Sequence, residues 1–237
     1  MVSDRIKKIL SHKSALHQQE LIRLGKVAEE TPLSSNVIVV EQSNQVKGIN
    51  SMLLNPSTNR EDFIFYFDRM MTMLVERAVQ CMHYEPHQVW TPYGSAYIGT
   101  KSVGEVSAVV ILRGGSALET GLRRVIPDCR TGRILIQSSP RTGEPELHYR
   151  KLADDLENHE RVLLLDTQMS SGGAALMAVR VLVDHGVKEE NIVFVTYMAG
   201  RNACQRLLIV FPEIRVVVCR LVDDMEERWV ERRYLGC

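Results

Sequence analysis

A stretch in the second half of the chain combines a carboxylate, hydroxyls and glycines in an order that suits a phosphorylated sugar. The apolar run Val162–Leu165 ends in Asp166, and a loop with Ser170, Ser171 and the pair Gly172-Gly173 leads into a helical pattern. Glycines let the backbone approach an anion, and the unpaired N–H groups of a helix start point toward it. A terminal phosphate fits this loop, whereas Asp166 repels phosphate and suits sugar hydroxyls. The alternative is an ordinary strand, turn and helix with a serine cap.

A second glycine pair follows another apolar run. Val106–Leu112 is continuous and strand-like, and Arg113-Gly114-Gly115 separates it from the next helical run. The guanidinium of Arg113 offers a planar fork to phosphate oxygens. Two such loops after parallel strands suit one ligand with two phosphate groups. The alternative is an exposed turn with a solvated arginine.

A third loop, 136–145, is rich in turn-forming residues and is predicted to be mobile. Ser138 and Arg141 lie in it, and both are candidate contacts to a pyrophosphate. Lys151 is a further candidate for binding an anion. The alternative for these residues is a solvated loop without a ligand.

Strand-like and helical runs alternate in the second half, which predicts an α/β fold with a parallel sheet covered by helices on both faces. The strand-like runs are Val106–Leu112, Arg133–Gln137, Val162–Leu165, Ile192–Tyr197 and Arg215–Cys219. The helical runs lie near Ala117–Val125, Ala174–His185 and Ala203–Val210. In such sheets ligands bind beyond the carboxyl ends of the strands, where the glycine-containing loops lie.

The first half supplies further elements. Its first 30 residues have helical spacing and predict either an oligomer arm or a cover for the domain edge, and Asn36–Gln42 is predicted to be a strand. Thr58 and Glu61 resemble a capping box that opens a helix of about 20 residues. Val89–Lys101 predicts an exposed β-hairpin arm. We expect an N-terminal helical extension over 1–35 and one domain over 36–237.

The composition disfavours several classes of protein. Lys and Arg total 29, as do Asp and Glu, and this zero net charge argues against a nucleic-acid partner. The five cysteines are widely spaced and form no CxxC motif, which argues against a zinc site or a disulfide framework and indicates a reducing compartment. No apolar run reaches the roughly 18 residues of a membrane span. We therefore expect a cytoplasmic protein without a membrane partner.

Together these motifs resemble the uracil phosphoribosyltransferase family, including its fusions to uridine kinase domains. The resemblance covers about 46–227, with its main motifs at Glu61–Arg69, Arg113–Gly115, Gly132–Gln137 and Leu163–Ala174. It implies a type I phosphoribosyltransferase fold and the transfer of phosphoribosyl from 5-phosphoribosyl 1-pyrophosphate (PRPP) to uracil in pyrimidine salvage, giving UMP and pyrophosphate. It further implies Mg²⁺, which accompanies PRPP, and a homodimer or homotetramer.

The resemblance also assigns roles to the loops. Asp166 and Arg113 are the implied catalytic residues: Asp166 meets the ribose hydroxyls, and Arg113 holds the pyrophosphate together with the backbone of Gly114 and Gly115. The residues implied to hold the 5-phosphate are Thr167, Gln168, Met169, Ser170, Ser171, Gly172, Gly173 and Ala174. Catalysis would then consist of positioning and charge stabilisation on the leaving pyrophosphate, without a nucleophilic triad.

The chain departs from the family pattern in three places. Ala174 replaces the last serine of the phosphate loop, and Ser138-Ser139 stands where the family carries an arginine and a carboxylate. The family's C-terminal loop rich in Gly and Asp, which binds uracil, is missing, so no uracil-binding residues are assigned. Either Glu231–Gly236 is a shortened remnant of that tail, or the chain stops before it. Glu226–Arg233 is predicted to be a solvated helix face.

These departures leave other functions open. One is a catalytically silent relative that binds a phosphate ligand or serves as a regulatory or structural subunit. Another is a phosphoribosyltransferase that acts on a different base.

Overall fold

A seven-stranded sheet forms the centre of the computed structural model, which describes residues 33–139, 141–223 and 228–236. Its strands are β1 (Val37–Val39), β4 (Val106–Leu112), β5 (Arg130–Ser138), β6 (Pro145–Lys151), β7 (Arg161–Met169), β8 (Ile192–Gly200) and β9 (Arg215–Val222), while β2 (Tyr84–Trp90) and β3 (Ala96–Ser102) form a separate hairpin. The spatial order is β1-β9-β8-β7-β4-β5-β6. All neighbours are parallel except β6, which is antiparallel to β5. The predicted α/β fold is confirmed.

Helices cover both faces of the sheet. They are α1 (Asn44–Leu54), α2 (Arg60–Val79), α3 (Glu119–Val125), α4 (Gly173–Asp184), α5 (Arg201–Val210) and α6 (Val230–Leu235). Neighbouring strand residues enter opposite cores. Leu163 and Val195 pack with residues of α1, α2, α3 and α6, whereas Leu164 and Phe194 pack with residues of α4 and α5. Burial on both faces explains why these strands are continuously apolar.

The sheet has a topological switch point between β4 and β7. The chain continues from β4 to β5 on one side of this point in the sheet, and from β7 to β8 on the other side. The pairing of β4 with β7 ends at Val110 and Leu165, but β7 continues beside β8 as far as Met169. The strand is therefore longer than predicted, and Asp166 lies within it, just past the last β4 partner. Ligands of open α/β sheets bind in such a crevice.

The β-hairpin arm is present and longer than predicted. β2 and β3 pair from Tyr84–Ser102 to Trp90–Ala96, and their side chains are almost all exposed. The sequence placed only Val89–Lys101 in this element, because the alternation of the preceding residues is weak.

The loop predicted over 136–145 is shorter in the structure, where residues 139 and 141–144 lie between β5 and β6 and both ends of the segment are strand. Ser138 at the end of β5 pairs with Pro145 at the start of β6, and in the turn between them the Ser139 N–H donates to the Glu144 carbonyl at 2.8 Å. The segment is thus a hairpin that adds an antiparallel edge strand to the sheet. Its residues are largely exposed, so it carries no apolar run that would mark a strand.

The cap of α2 also differs from the prediction. Asn59, not Thr58, caps this helix, and its side-chain oxygen accepts from the Asp62 N–H at 2.8 Å. Thr58 instead donates its hydroxyl to the carbonyl of Met52 at 2.7 Å. The helix itself has the 20 residues expected.

The helix predicted within the first 30 residues lies outside the described residues, as does most of the predicted extension 1–35. Among the described helices, none is both long and apolar enough to cross a membrane. Cys81, Cys129, Cys204 and Cys219 are buried free thiols. Burial raises the pKa of Cys129 and Cys219 to about 11 and that of Cys204 to about 12, so these thiols stay protonated at neutral pH.

Candidate functional site

The loop after β7 lines a cavity of about 460 Å³ at the carboxyl edge of the sheet. Gly172 adopts the left-handed backbone conformation with φ +83°, and Gly173 begins α4. A side chain would be strained at this φ, so the turn requires glycine. The loop is held from behind by Arg206 of α5, whose guanidinium donates to the Ser171 carbonyl at 3.2 Å. This contact was not predicted from the sequence.

Most of the predicted phosphate-loop residues face this cavity. Its lining includes Ser138, Asp166, Gln168, Met169, Ser170, Ser171, Gly172, Gly173 and Ala174. The start of α4 supplies N–H groups that a helix cannot satisfy internally, and such groups attract an anion. The arrangement is therefore suited to an anion such as a phosphate group.

Asp166 is a buried carboxylate beside this loop. Its Oδ1 accepts from the backbone N–H of Thr167 at 2.8 Å and from the guanidinium of Arg228 at 2.7 Å. Burial raises the pKa of Asp166 above its ordinary value, while the charge of Arg228 and the Thr167 N–H oppose that rise. This carboxylate can accept hydrogen bonds from sugar hydroxyls only at positions that the guanidinium of Arg228 does not occupy.

The hydroxyl of Thr167 is also buried in this crevice. Its oxygen has no hydrogen-bond partner, although the residue is fully buried. A buried hydroxyl without a partner costs about 1–3 kcal/mol. The atom does not line the cavity but lies against Gly114, 2.9 Å from where a methyl group built on that glycine would sit.

The arginine loop lies directly against Asp166 and Thr167. A methyl group built on Gly114 would sit 2.8 Å from Asp166 Oδ1 and 2.9 Å from Thr167 Oγ1, and one on Gly115 would sit 2.2 Å from the Leu165 carbonyl oxygen. Both glycines therefore allow a close approach of the two loops. Arg113 itself is largely exposed, and its Nε lies 3.3 Å from a carboxylate oxygen of Glu231. The structure brings the two predicted loops together.

The C-terminal segment occupies the same crevice, which the sequence did not predict. Arg228 pairs with Asp166, and Glu231 pairs with Arg113. The side-chain oxygen of Gln168 accepts from the N–H groups of Trp229 and Val230 at 2.9 and 3.0 Å. The described part of the tail is therefore not a solvated helix face. Its charged side chains had been assigned to solvent because their partners are some 60 residues or more away in sequence.

Further contacts anchor this segment, Arg228–Gly236, on α2. Val230 is fully buried, and Trp229 packs edge-on against Phe63 with ring centroids 6.0 Å apart. Arg233 lies over the Phe63 ring at 4.5 Å, and the hydroxyl of Tyr234 donates to Asp68 at 2.7 Å. Arg233 also donates to the backbone carbonyls of Leu53, Asn55 and Thr58. The segment is thus a packed part of the domain.

Three of the predicted anion contacts, Arg113, Arg141 and Lys151, do not line the cavity. Arg141 is exposed in the turn between β5 and β6 and does not line it. Lys151 pairs with Arg133 in the first half of β5, at a distance along the strand from the carboxyl edge where the loops lie. Lys151 is therefore not brought to the cavity, because β6 runs antiparallel to β5 and ends away from the carboxyl edge. Ser138 remains at the rim of the cavity.

Comparisons with known proteins identify the family. A family model described as uracil phosphoribosyltransferase matches residues 39–233. The chain is 37% identical over 193 residues to "Uracil phosphoribosyltransferase" of Dictyostelium discoideum, an alignment that covers 81% of this chain and 89% of that protein. It is 36% identical over 219 residues to "Uridine-cytidine kinase-like 1" of Mus musculus, covering 90% of this chain. It spans only 40% of that longer relative.

A solved structure shares the fold. The AQ2163 protein from Aquifex aeolicus superimposes with a TM-score of 0.69 and 20% identity, over 84% of this chain and 97% of that one. At this identity the likeness concerns the fold alone. It supports the strand order and helix placement described above.

Proposed function

Because the chain belongs to the uracil phosphoribosyltransferase family, we propose that it transfers phosphoribosyl from PRPP to uracil, giving UMP and pyrophosphate. The observation that carries this proposal is the loop after β7, where Asp166, a left-handed Gly172 and the start of α4 border one cavity. A phosphorylated ribose requires a carboxylate that accepts hydrogen bonds from its hydroxyls, beside a turn that binds its phosphate. The similarity to the longer kinase relatives covers only part of their length, and the proposal does not draw on their kinase activity.

The proposed reaction needs few groups from the protein. As pyrophosphate leaves, C1 of the ribose gains oxocarbenium character, and the enzyme lowers the barrier by positioning and by stabilising charge on the leaving group. Asp166 would orient the ribose through its hydroxyls, and the 5-phosphate would sit on the loop from Ser170 to Gly173. Arg113 and the backbone of Gly114 would face the pyrophosphate.

Mg²⁺ fits this site as an ion that arrives with the ligand. Among the described residues, no group of three or more His, Cys, Asp and Glu side chains is arranged to hold a metal. The carboxylates of Asp166 and Glu231 each face an arginine. Mg²⁺ is commonly bound through one or two carboxylates together with substrate phosphates. When bound, it would neutralise charge on the pyrophosphate oxygens, and the carboxylates of Asp166 and Glu231 are the side chains of the site that could hold it.

A test of the activity measures UMP from labelled uracil, PRPP and Mg²⁺, with adenine, hypoxanthine and orotate as alternative bases. We expect UMP formation that depends on PRPP and is lost in Asp166→Asn. Product from another base but not from uracil would replace uracil as the substrate. Folded protein that yields no nucleotide from any base would refute the transfer reaction.

A second candidate function is binding of PRPP without turnover. It is favoured by the two ion pairs, Arg228 with Asp166 and Glu231 with Arg113, which occupy the charged groups that a substrate needs. Calorimetry separates the two functions. Heat of PRPP binding in the absence of any nucleotide product indicates a silent binding protein, whereas turnover rejects it.

A further inference from the structure

We propose that the segment Arg228–Gly236 is an intramolecular competitor for the phosphoribosyl ligand. This inference rests on the proposed function and names a regulation of that same site. Arg228 takes the place of the ribose hydroxyls on Asp166, and Glu231 takes the place of pyrophosphate on Arg113. Binding of PRPP therefore requires these two side chains to leave.

The signs of the charges carry the proposal. Asp166 presents an acceptor, and Arg228 offers it an N–H donor at 2.7 Å, as a sugar hydroxyl would. Arg113 presents a cation, and Glu231 offers it a carboxylate at 3.3 Å, as a phosphate oxygen would. One segment thus supplies a donor to the acceptor of the site and an anion to its cation. A tail that merely covered the domain would not need to match both.

The buried state of Asp166 adds a reason for the pairing. Its side chain is 3% exposed, and an unpaired charge at such a depth is strongly unfavourable. Arg228 compensates that charge when no ligand is present. The Nε of Arg228 is itself buried without a hydrogen-bond partner, so the guanidinium is incompletely satisfied in this position. This deficit lowers the cost of displacing it.

The phosphate loop and the competing segment are also joined directly. Gln168 lines the cavity, and its side-chain oxygen holds the N–H groups of Trp229 and Val230 where α6 begins. The start of the segment is therefore fixed by a residue of the loop that would bind the ligand. A ligand that shifts Gln168 also releases the segment that carries Arg228 and Glu231.

A competitor of this kind weakens the apparent affinity, because only molecules with the side chains displaced can bind. Glu231→Gln removes the negative charge from Arg113 without a change in shape. We expect it to tighten PRPP binding about three- to fivefold, which corresponds to a partly exposed ion pair. Arg228→Gln removes a pair with a buried carboxylate, and we expect it to tighten binding about tenfold.

The chain offers matched controls for both variants. Arg133 and Glu119 form an ion pair with an N–O distance of 2.9 Å and an exposure similar to that of Arg113 with Glu231, and neither residue lines the cavity. Glu119→Gln and Arg133→Gln remove the same charges away from the site. Isothermal titration calorimetry with PRPP and Mg²⁺ should give control affinities within about twofold of that of the unmodified chain. A twofold change corresponds to less free energy than a typical surface ion pair contributes.

The outcomes separate this inference from the proposed function. Unmodified protein that binds PRPP, together with Glu231→Gln and Arg228→Gln variants that bind it equally or more weakly, overturns the competitor and leaves the function standing. If the variants bind PRPP and the unmodified chain does not, both the competitor and the proposed function are supported. Absence of PRPP binding by every folded chain overturns both.

A measurement on the unmodified chain avoids any folding defect of the variants. Hydrogen exchange of peptides covering 228–236 reports whether the segment moves. We expect faster exchange at Trp229 and Val230 when PRPP saturates the site, because their N–H groups lose Gln168. Unchanged or slower exchange, with binding established by calorimetry, overturns the competitor.

Discussion

A methyl group on Gly115 provides a direct test of how closely the arginine loop packs on the sheet. In Gly115→Ala, the added carbon would lie 2.2 Å from the carbonyl oxygen of Leu165 in β7 and 3.0 Å from a methyl of Val110. Carbon and oxygen normally stay about 3.3–3.6 Å apart even in close contacts. The loop must therefore move away from β7 by about 1 Å.

The cost of that movement follows from the rigidity of the two elements. The atom that is struck belongs to the backbone of a central strand, so no side chain can rotate out of the way. Overpacking of a core costs about 1–3 kcal/mol, and more where backbone must shift. We expect a loss of about 3 kcal/mol in the free energy of unfolding, which lowers the melting temperature by about 6–12 °C in a domain of this size.

Urea unfolding followed by circular dichroism measures this loss, and two other glycines serve as references. Gly48, in the interior of α1, has no neighbouring atom within 4 Å of an added carbon, and Gly48→Ala should stabilise the chain by about 1 kcal/mol. At Gly114 the nearest atoms are the side-chain oxygens of Asp166 and Thr167. Gly114→Ala should therefore cost less stability than Gly115→Ala but abolish PRPP binding.

A free energy of unfolding for Gly115→Ala within 1 kcal/mol of the unmodified chain would refute this reasoning. It would mean that the arginine loop can move away from β7 at little cost. The close approach of Gly114 to Asp166 would then not define the geometry of the site.

Three further predictions concern the site and the segment that covers it. Thr167→Val replaces an unpartnered buried hydroxyl by a methyl, so chemical denaturation should show equal or greater stability, whereas calorimetry should show weaker PRPP binding; a loss of stability would mean that the hydroxyl has a structural partner. Burial raises the pKa of Asp166 in the folded chain, so the folded state holds this proton more tightly and stability falls as pH rises from about 4 through the raised pKa. Asp166→Asn should remove that fall in urea titrations between pH 4 and 8, and an unchanged slope would contradict it. Arg233 reaches the carbonyls of Leu53 and Asn55 with Nη1 and that of Thr58 with Nη2. Arg233→Lys places all donors on one nitrogen and should lower the unfolding free energy by about 1–3 kcal/mol. Arg232→Lys, at an exposed position, is the control, and equal stability of the two variants would contradict the prediction.

The parallel sheet and the glycine turn after β7 could be predicted because their signals are local. Strands buried on both faces are continuously apolar, as from Val162 to Leu165, and Gly172-Gly173 marks the turn before α4. The residues that follow a strand in such a sheet lie at one edge, so the position of Asp166 near Arg113 also followed from the order of elements. These features need no knowledge of distant contacts.

The remaining features depend on partners that are remote in sequence. β6 is an exposed edge strand, and its register comes from pairing with β5 rather than from any apolar pattern. Arg228 and Glu231 looked like solvated charges, because Asp166 and Arg113 lie far before them in the chain. The choice between Thr58 and Asn59 as the cap was decided by the Met52 carbonyl, which accepts the threonine hydroxyl.

The buried thiols can report local unfolding of the chain. The thiolate is the nucleophile that attacks an alkylating reagent. Burial shields Cys129, Cys204 and Cys219 from the reagent, and their raised pKa suppresses the thiolate in the native state. These sulfurs lie in both cores, on opposite faces of the sheet. Iodoacetamide labelling, located by mass spectrometry, therefore reports separately how often each face becomes accessible.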